Sequence, residues 1–170
     1  MASAEMSGLA NGSIAWHCEQ NVVGSVVAHL KQNDWTIESV ADTESRARGA
    51  DIRAHRNGRT LVVEVKGYHL TVYARGAKKG KEKPTKPGVQ ARHWYSHVLL
   101  DAMLRQSQYP SARVAVALPD FAVFTNLIAR TQSALRKLGI DVYLVRETGC
   151  VECIEAAAQR ALPVVKPSEQ

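Results

Sequence analysis

Two acids and a lysine stand inside a stretch that otherwise reads as a packable hairpin. In GADIRAHRNGRTLVVEVKG, residues 49–67, Asp51, Glu64 and Lys66 interrupt the apolar Ile52, Leu61, Val62, Val63 and Val65. Asn57-Gly58 at its centre is a strong turn signal, because both residue types accept the positive φ of a two-residue type I′ loop. Counting outward from that loop pairs Arg56 with Arg59 and sets Asp51 directly opposite Glu64, with β-carbons roughly 4.5–5.5 Å apart. Strand alternation puts Lys66 on the face of Glu64, and Ile52, Ala54, Leu61, Val63 and Val65 on the other. Like charges facing each other destabilise a sheet, so the pair needs compensation. Lys66 supplies part of it, and a hard divalent cation such as Mg²⁺ would supply more, since such ions take carboxylate and backbone carbonyl oxygens. The plainer alternative is a surface salt-bridge cluster, but apolar neighbours on both sides of these residues argue against an exposed strand.

Glu19 is a third acid. It lies four residues before Val23, on the stripe that carries Val23, Val26 and Leu30. A carboxylate at the N-terminal edge of an apolar face either complements the helix dipole or reaches inward to a cation.

A second feature is charge. The chain holds 22 Lys and Arg against 16 Asp and Glu, a net +6. Residues 68–97 contain Arg75, Lys78, Lys79, Lys81, Lys83, Lys86 and Arg92 against the single acid Glu82, so this segment accounts for the whole excess. Clustered lysines suit a polyanion, because each phosphate contact releases condensed counterions. The competing reading is a solvated loop kept soluble by its charge.

These residues need elements to position them. Residues 17–33 fit a helix, with Val23, Val26, Val27 and Leu30 at helical spacing. DWTIESV reads as a first strand, followed by hairpin strands at about 50–56 and 59–67. The Lys-, Gly- and Pro-rich ARGAKKGKEKPTKPG reads as a loop. A helix follows from about Gln90 to Gln106, with Ala91, Tyr95, Val98 and Ala102 on one side. ARVAVALP has the continuous apolar character of a strand buried on both faces. A helix from about Asp120 to Leu138 then ends at Gly139, IDVYLV is a further strand, and a short helix is expected over Glu152 to Arg160. This order predicts an α/β fold with a mixed sheet flanked by helices. A length of 170 residues fits one domain, over 17–162, with a flexible leader at 1–16, a basic loop at 71–88 and a tail at 163–170. No apolar run approaches the ~20 residues of a membrane span. The leader lacks the basic and apolar regions of a secretion signal, and three cysteines cannot all pair, so a cytoplasmic location is expected.

Together, Asp51, the Glu64-Val65-Lys66 tripeptide, the turn, the spacing and the preceding Glu19 helix resemble the core of the PD-(D/E)XK nuclease superfamily, the restriction-endonuclease-like fold. Ala50 stands where the name has proline. The resemblance spans about residues 17–106. It implies that Asp51, Glu64 and the carbonyl of Val65 hold Mg²⁺ or Mn²⁺, with Glu19 a further ligand directly or through water. It also implies that Lys66 orients or helps deprotonate the attacking water. The implied activity is hydrolysis of phosphodiester bonds in nucleic acid, DNA favoured over RNA, with little sequence specificity, because lysine contacts to phosphate carry no base information. Arg75, Lys78, Lys79, Lys81, Lys83, Lys86, Gln90 and Arg92 are the expected nucleic-acid contacts. A catalytically silent binding module of the same fold, acting in a repair, recombination or mobile-element complex, is the alternative. Both a monomer and a homodimer cutting two strands stay open.

Other motifs are weaker. Some members carry glutamine and tyrosine four residues apart on the helix after the core, whereas Gln90 and Tyr95 are five apart, and packing is the expected role of Trp94 and Tyr95. GAKKGKE is one residue short of a phosphate loop and has Glu82 at the Ser/Thr position. His93 and His97 share a helix face, but Trp94 stands where a zinc protease needs glutamate. Cys150 and Cys153 form a lone C-x2-C with no second pair nearby.

Overall fold

The computed structural model describes residues 15–41, 49–68, 81 and 86–156. Nearly all of the expected leader, most of the basic loop and the tail lie outside them. Three helices and six strands follow in the order α1 (Glu19–Gln32), β1 (Thr36–Val40), β2 (Ile52–Arg56), β3 (Arg59–Val65), α2 (Pro87–Gln108), β4 (Arg113–Pro119), α3 (Ala122–Leu138), β5 (Ile140–Val145) and β6 (Val151–Ile154). The strands form one sheet in sequence order. β1, β2 and β3 are antiparallel, β3, β4 and β5 parallel, and β6 returns antiparallel to β5. The fold is therefore the expected α/β class, a mixed sheet between helical layers.

The turn sets the hairpin register. Asn57 and Gly58 have φ of 51° and 73°, and the pairs run from Arg56 with Arg59 to Ile52 with Val63. On one face α1 contributes Val22, Val23, Val26 and Leu30 to a core with Ile52, Ala54, Leu61, Val63 and Val65. On the other, α2 contributes Ala91, Tyr95, Val98 and Ala102, packed with α3 over Val62, Val114, Val116 and Leu118. Every residue of β3 from Leu61 to Val65 is buried. The parallel connections explain why: each crossover lays a helix on the sheet.

α3 ends where expected, at Gly139 in the left-handed conformation. The C-terminal expectation is corrected. Residues 151–154 are a strand, not the start of a helix, and pair with β5 from Val145 opposite Val151 to Val142 opposite Ile154. The Ala- and Glu-rich sequence favours a helix locally. The tight turn at Gly149, with φ 82°, and the open backbone edge of β5 override that preference. Among the described residues no helix is long and apolar enough to cross a membrane.

Candidate metal centre

The site forms where β2 begins and β3 ends. Asp51 immediately precedes β2, and its Oδ2 accepts the N–H of Val65 at 2.6 Å. Glu64, next to last in β3, is only 5% exposed. Asp51 and Glu64 interact electrostatically, the Asp51 charge raising the cost of ionising Glu64. Burial pushes the Glu64 carboxyl up to about 7, with Asp51 and Asp101 adding to the rise and Arg105 opposing it. Asp51 is also raised, chiefly by burial and further by Glu19 and Asp101, against the lowering effect of the Val65 N–H and Lys66. These are the marks of desolvated like charges sharing one place.

Lys66 follows β3, its backbone N–H bonded to Ala117 O at 3.0 Å. Its ammonium meets Glu19 Oε2 at 3.2 Å. Burial alone would lower its pKa, but Glu19, Asp51 and Asp101 outweigh that and raise it. The cation is thus held charged. Gly67 makes this meeting geometrically feasible. A β-carbon there would lie 2.5 Å from Glu19 N and 2.9 Å from His17 O, and Tyr68 N–H bonds to His17 O at 2.8 Å. The end of β3 therefore runs hard against the start of α1, which sets Glu19 beside Lys66.

Lys66 supplies part of the expected compensation, since it favours the ionised form of Asp51, but the direct partner of Glu64 is another residue. The cation against Glu64 is Arg105, not Lys66. Arg105, in the last turn of α2, donates from Nε to Glu64 Oε1 at 2.5 Å, from Nη2 to Gly49 O at 2.5 Å and from Nη1 to Gln108 Oε1 at 2.8 Å. Lys66 is drawn instead to Glu19 on α1, the helix covering the opposite sheet face. Sequence reasoning missed Arg105 and its neighbour Asp101. A signal was present: after Ala91, Tyr95, Val98 and Ala102, the next position on the buried stripe of α2 is Arg105. A guanidinium on a core stripe implies a buried acid opposite.

The sheet's other buried acid shows how a purely structural carboxylate looks. Asp141, 4% exposed, engages Arg113 Nη2 at 2.7 Å and Nε at 3.1 Å through Oδ2, and Ala156 N–H at 2.8 Å through Oδ1. Both of its oxygens are used. Among the described residues Glu64 commits only Oε1, and Asp51 only Oδ2. Carboxylate oxygens are hard donors of the kind that divalent ions such as Mg²⁺ take. Among the described residues no group of three or more His, Cys, Asp or Glu side chains is arranged to hold a metal, so such an ion needs backbone or water oxygens as well.

The expected nucleic-acid contacts divide. Lys81 and Lys86 are exposed, the latter as N-cap of α2, and Arg92 is exposed in the first turns of that helix. Gln90 is half-buried, with Oε1 buried and without a hydrogen-bond partner. Arg75, Lys78, Lys79 and Lys83 lie outside the described residues. Tyr95 packs in the core with its hydroxyl 2.6 Å from Thr131 Oγ1. The rings of His93 and His97 lie 4.4 Å apart on the exposed side of α2. Cys18, Cys150 and Cys153 are free thiols.

The fold and site together define an α/β domain with a buried acid, Glu64, a half-buried one, Asp51, and a charged lysine beside them where a central strand ends. No protein-family model and no curated protein matches the chain. Among solved structures, an XisH family protein from Nostoc punctiforme PCC 73102 is similar over 79% of this chain and 98% of its own, at 13% identity and a TM-score of 0.47.

Proposed function

We propose that this chain is a metal-dependent nuclease with a PD-(D/E)XK, restriction-endonuclease-like core, hydrolysing phosphodiester bonds with DNA favoured over RNA. The observation that carries the reading is the convergence of Asp51 and Glu64, both raised by burial, beside an ammonium held charged by Glu19. Asp51, Glu64 and the Val65 carbonyl would hold Mg²⁺ or Mn²⁺. The bound cation would acidify a water and offset charge on the phosphate. Lys66 acts as a fixed positive charge. Its raised pKa makes it a poor base at neutral pH, so it orients the attacking water and stabilises negative charge developing on phosphate oxygens. Glu19 keeps that ammonium protonated and aimed. Lys81, Lys86 and Arg92 offer phosphate contacts that position the strand without reading bases.

A second reading, a nucleic-acid-binding module that does not cleave, draws on the Arg105–Glu64 pair, which already neutralises one acid. One experiment separates the two. Plasmid and single-stranded DNA are incubated with Mg²⁺ or Mn²⁺ and wild type, Asp51→Ala, Glu64→Ala or Lys66→Ala, with binding followed in parallel at several salt concentrations. The nuclease reading expects each variant to lose cleavage by at least about 10²-fold while binding persists and weakens with salt. Salt-sensitive binding with no cleavage by wild type would favour the silent module, and equal cleavage by all four proteins would discard the site.

A further inference from the structure

We infer that Arg105 is a built-in counter-ion that occupies Glu64 in the metal-free protein and gives way when a divalent cation binds. The inference rests on the nuclease reading's metal site and names how access to it is controlled. Three observations support it. First, the Arg105 guanidinium is the direct cationic partner of Glu64, by a charge-assisted hydrogen bond from Nε. Second, its other anchors are both neutral acceptors at the protein surface, Gly49 O and Gln108 Oε1. Releasing it from Glu64 therefore breaks no second ion pair among the described residues, though it moves the guanidinium relative to Asp101, which also acts on it. Third, Gly49 precedes Asp51 by two residues, so one side chain ties the acid on β3 to the approach of the acid before β2.

A divalent cation at Glu64 would set a second positive charge beside the guanidinium already bonded to Oε1, so the two repel each other and compete for one carboxylate. If the arginine only oriented Glu64 for a ligand role, removing it would loosen the carboxylate and weaken metal binding. If it competes, removing it strengthens metal binding. The two roles differ in sign. Once displaced, the guanidinium remains at the mouth of the site with its planar donors free, suited to a substrate phosphate.

The test titrates Mn²⁺ into the full chain, reading free Mn²⁺ by electron paramagnetic resonance, with wild type, Arg105→Met, Gln108→Ala and Glu64→Gln. The expected result is Mn²⁺ binding at least about tenfold tighter in Arg105→Met, matching the loss of one charge-assisted competitor. Metal-free Arg105→Met should also melt below wild type, with Mn²⁺ raising its Tm more. Gln108→Ala keeps the charge but removes one anchor, and should tighten binding by a smaller factor, about two- to threefold. It carries the test if Arg105→Met does not fold. Mn²⁺ binding in wild type that is unchanged or weakened in the folded variants would overturn the competition alone. Absence of Mn²⁺ binding from wild type, Arg105→Met and Gln108→Ala alike would remove the metal site itself, and the competition with it.

Discussion

Raising the pH of the metal-free protein should cost it stability through Glu64, in a window set by that one group. Its carboxyl lies at about 7 in the fold, against an ordinary value of 4.5. The folded state therefore binds the proton more tightly than the unfolded state. That contribution is complete below about pH 4.5 and is lost as pH rises through about 7. Integrating the linkage between pH 6 and pH 8 gives a loss of about 1.3 kcal/mol. For a chain of 170 residues this is about 3–5 °C in Tm. Asp51, also raised, acts in the same direction. His17 and His29 act oppositely at lower pH, because burial lowers both below 6.5, so the unfolded chain takes up their protons first. The clean observable is therefore a difference. Thermal unfolding with EDTA, followed by circular dichroism from pH 5.5 to 8.5, should show wild type losing ground relative to Glu64→Gln as pH rises, since the variant keeps both histidines and lacks the titrating acid. A difference between the two proteins that stays level across this range would refute the argument that Glu64 is a desolvated acid beside Asp51. With saturating Mg²⁺ the wild-type decline should flatten, because a cation favours the ionised pair.

Two further outcomes test what positions the site. Gly67→Ala puts a methyl 2.5 Å from the Glu19 backbone nitrogen, so it should destabilise the fold by about 1–3 kcal/mol through overpacking. It should also cut activity by separating Glu19 from Lys66, measured by urea unfolding and plasmid cleavage together. Asn57→Ala, at φ 51°, should cost about 1 kcal/mol, whereas Asn57→Gly should be nearly neutral; equal losses from both would mean that the left-handed turn does not hold the register.

Much of the site's frame could be read along the chain. The Asn57-Gly58 turn imposes its register by local backbone chemistry, and strand alternation then follows without reference to the rest of the fold. That is why the register from Arg56 with Arg59 to Ile52 with Val63 was accessible by counting. The helices were legible for a similar reason: stripes such as Val23, Val26 and Leu30 on α1, or Ala91, Tyr95, Val98 and Ala102 on α2, repeat at the helical period.

Long-range pairing was not legible. Lys66 sits two residues from Glu64 in sequence, yet it is captured by Glu19 because Gly67 lets α1 close against the end of β3. Arg105 lies 41 residues beyond Glu64 and becomes its partner because α2 packs across that face of the sheet. β6 is a strand because β5 presents an unpaired edge, a condition absent from the isolated segment. Turn chemistry and periodicity are local and survive in one dimension. Which buried charge neutralises which is decided by desolvation after packing, and it exists only in the assembled fold.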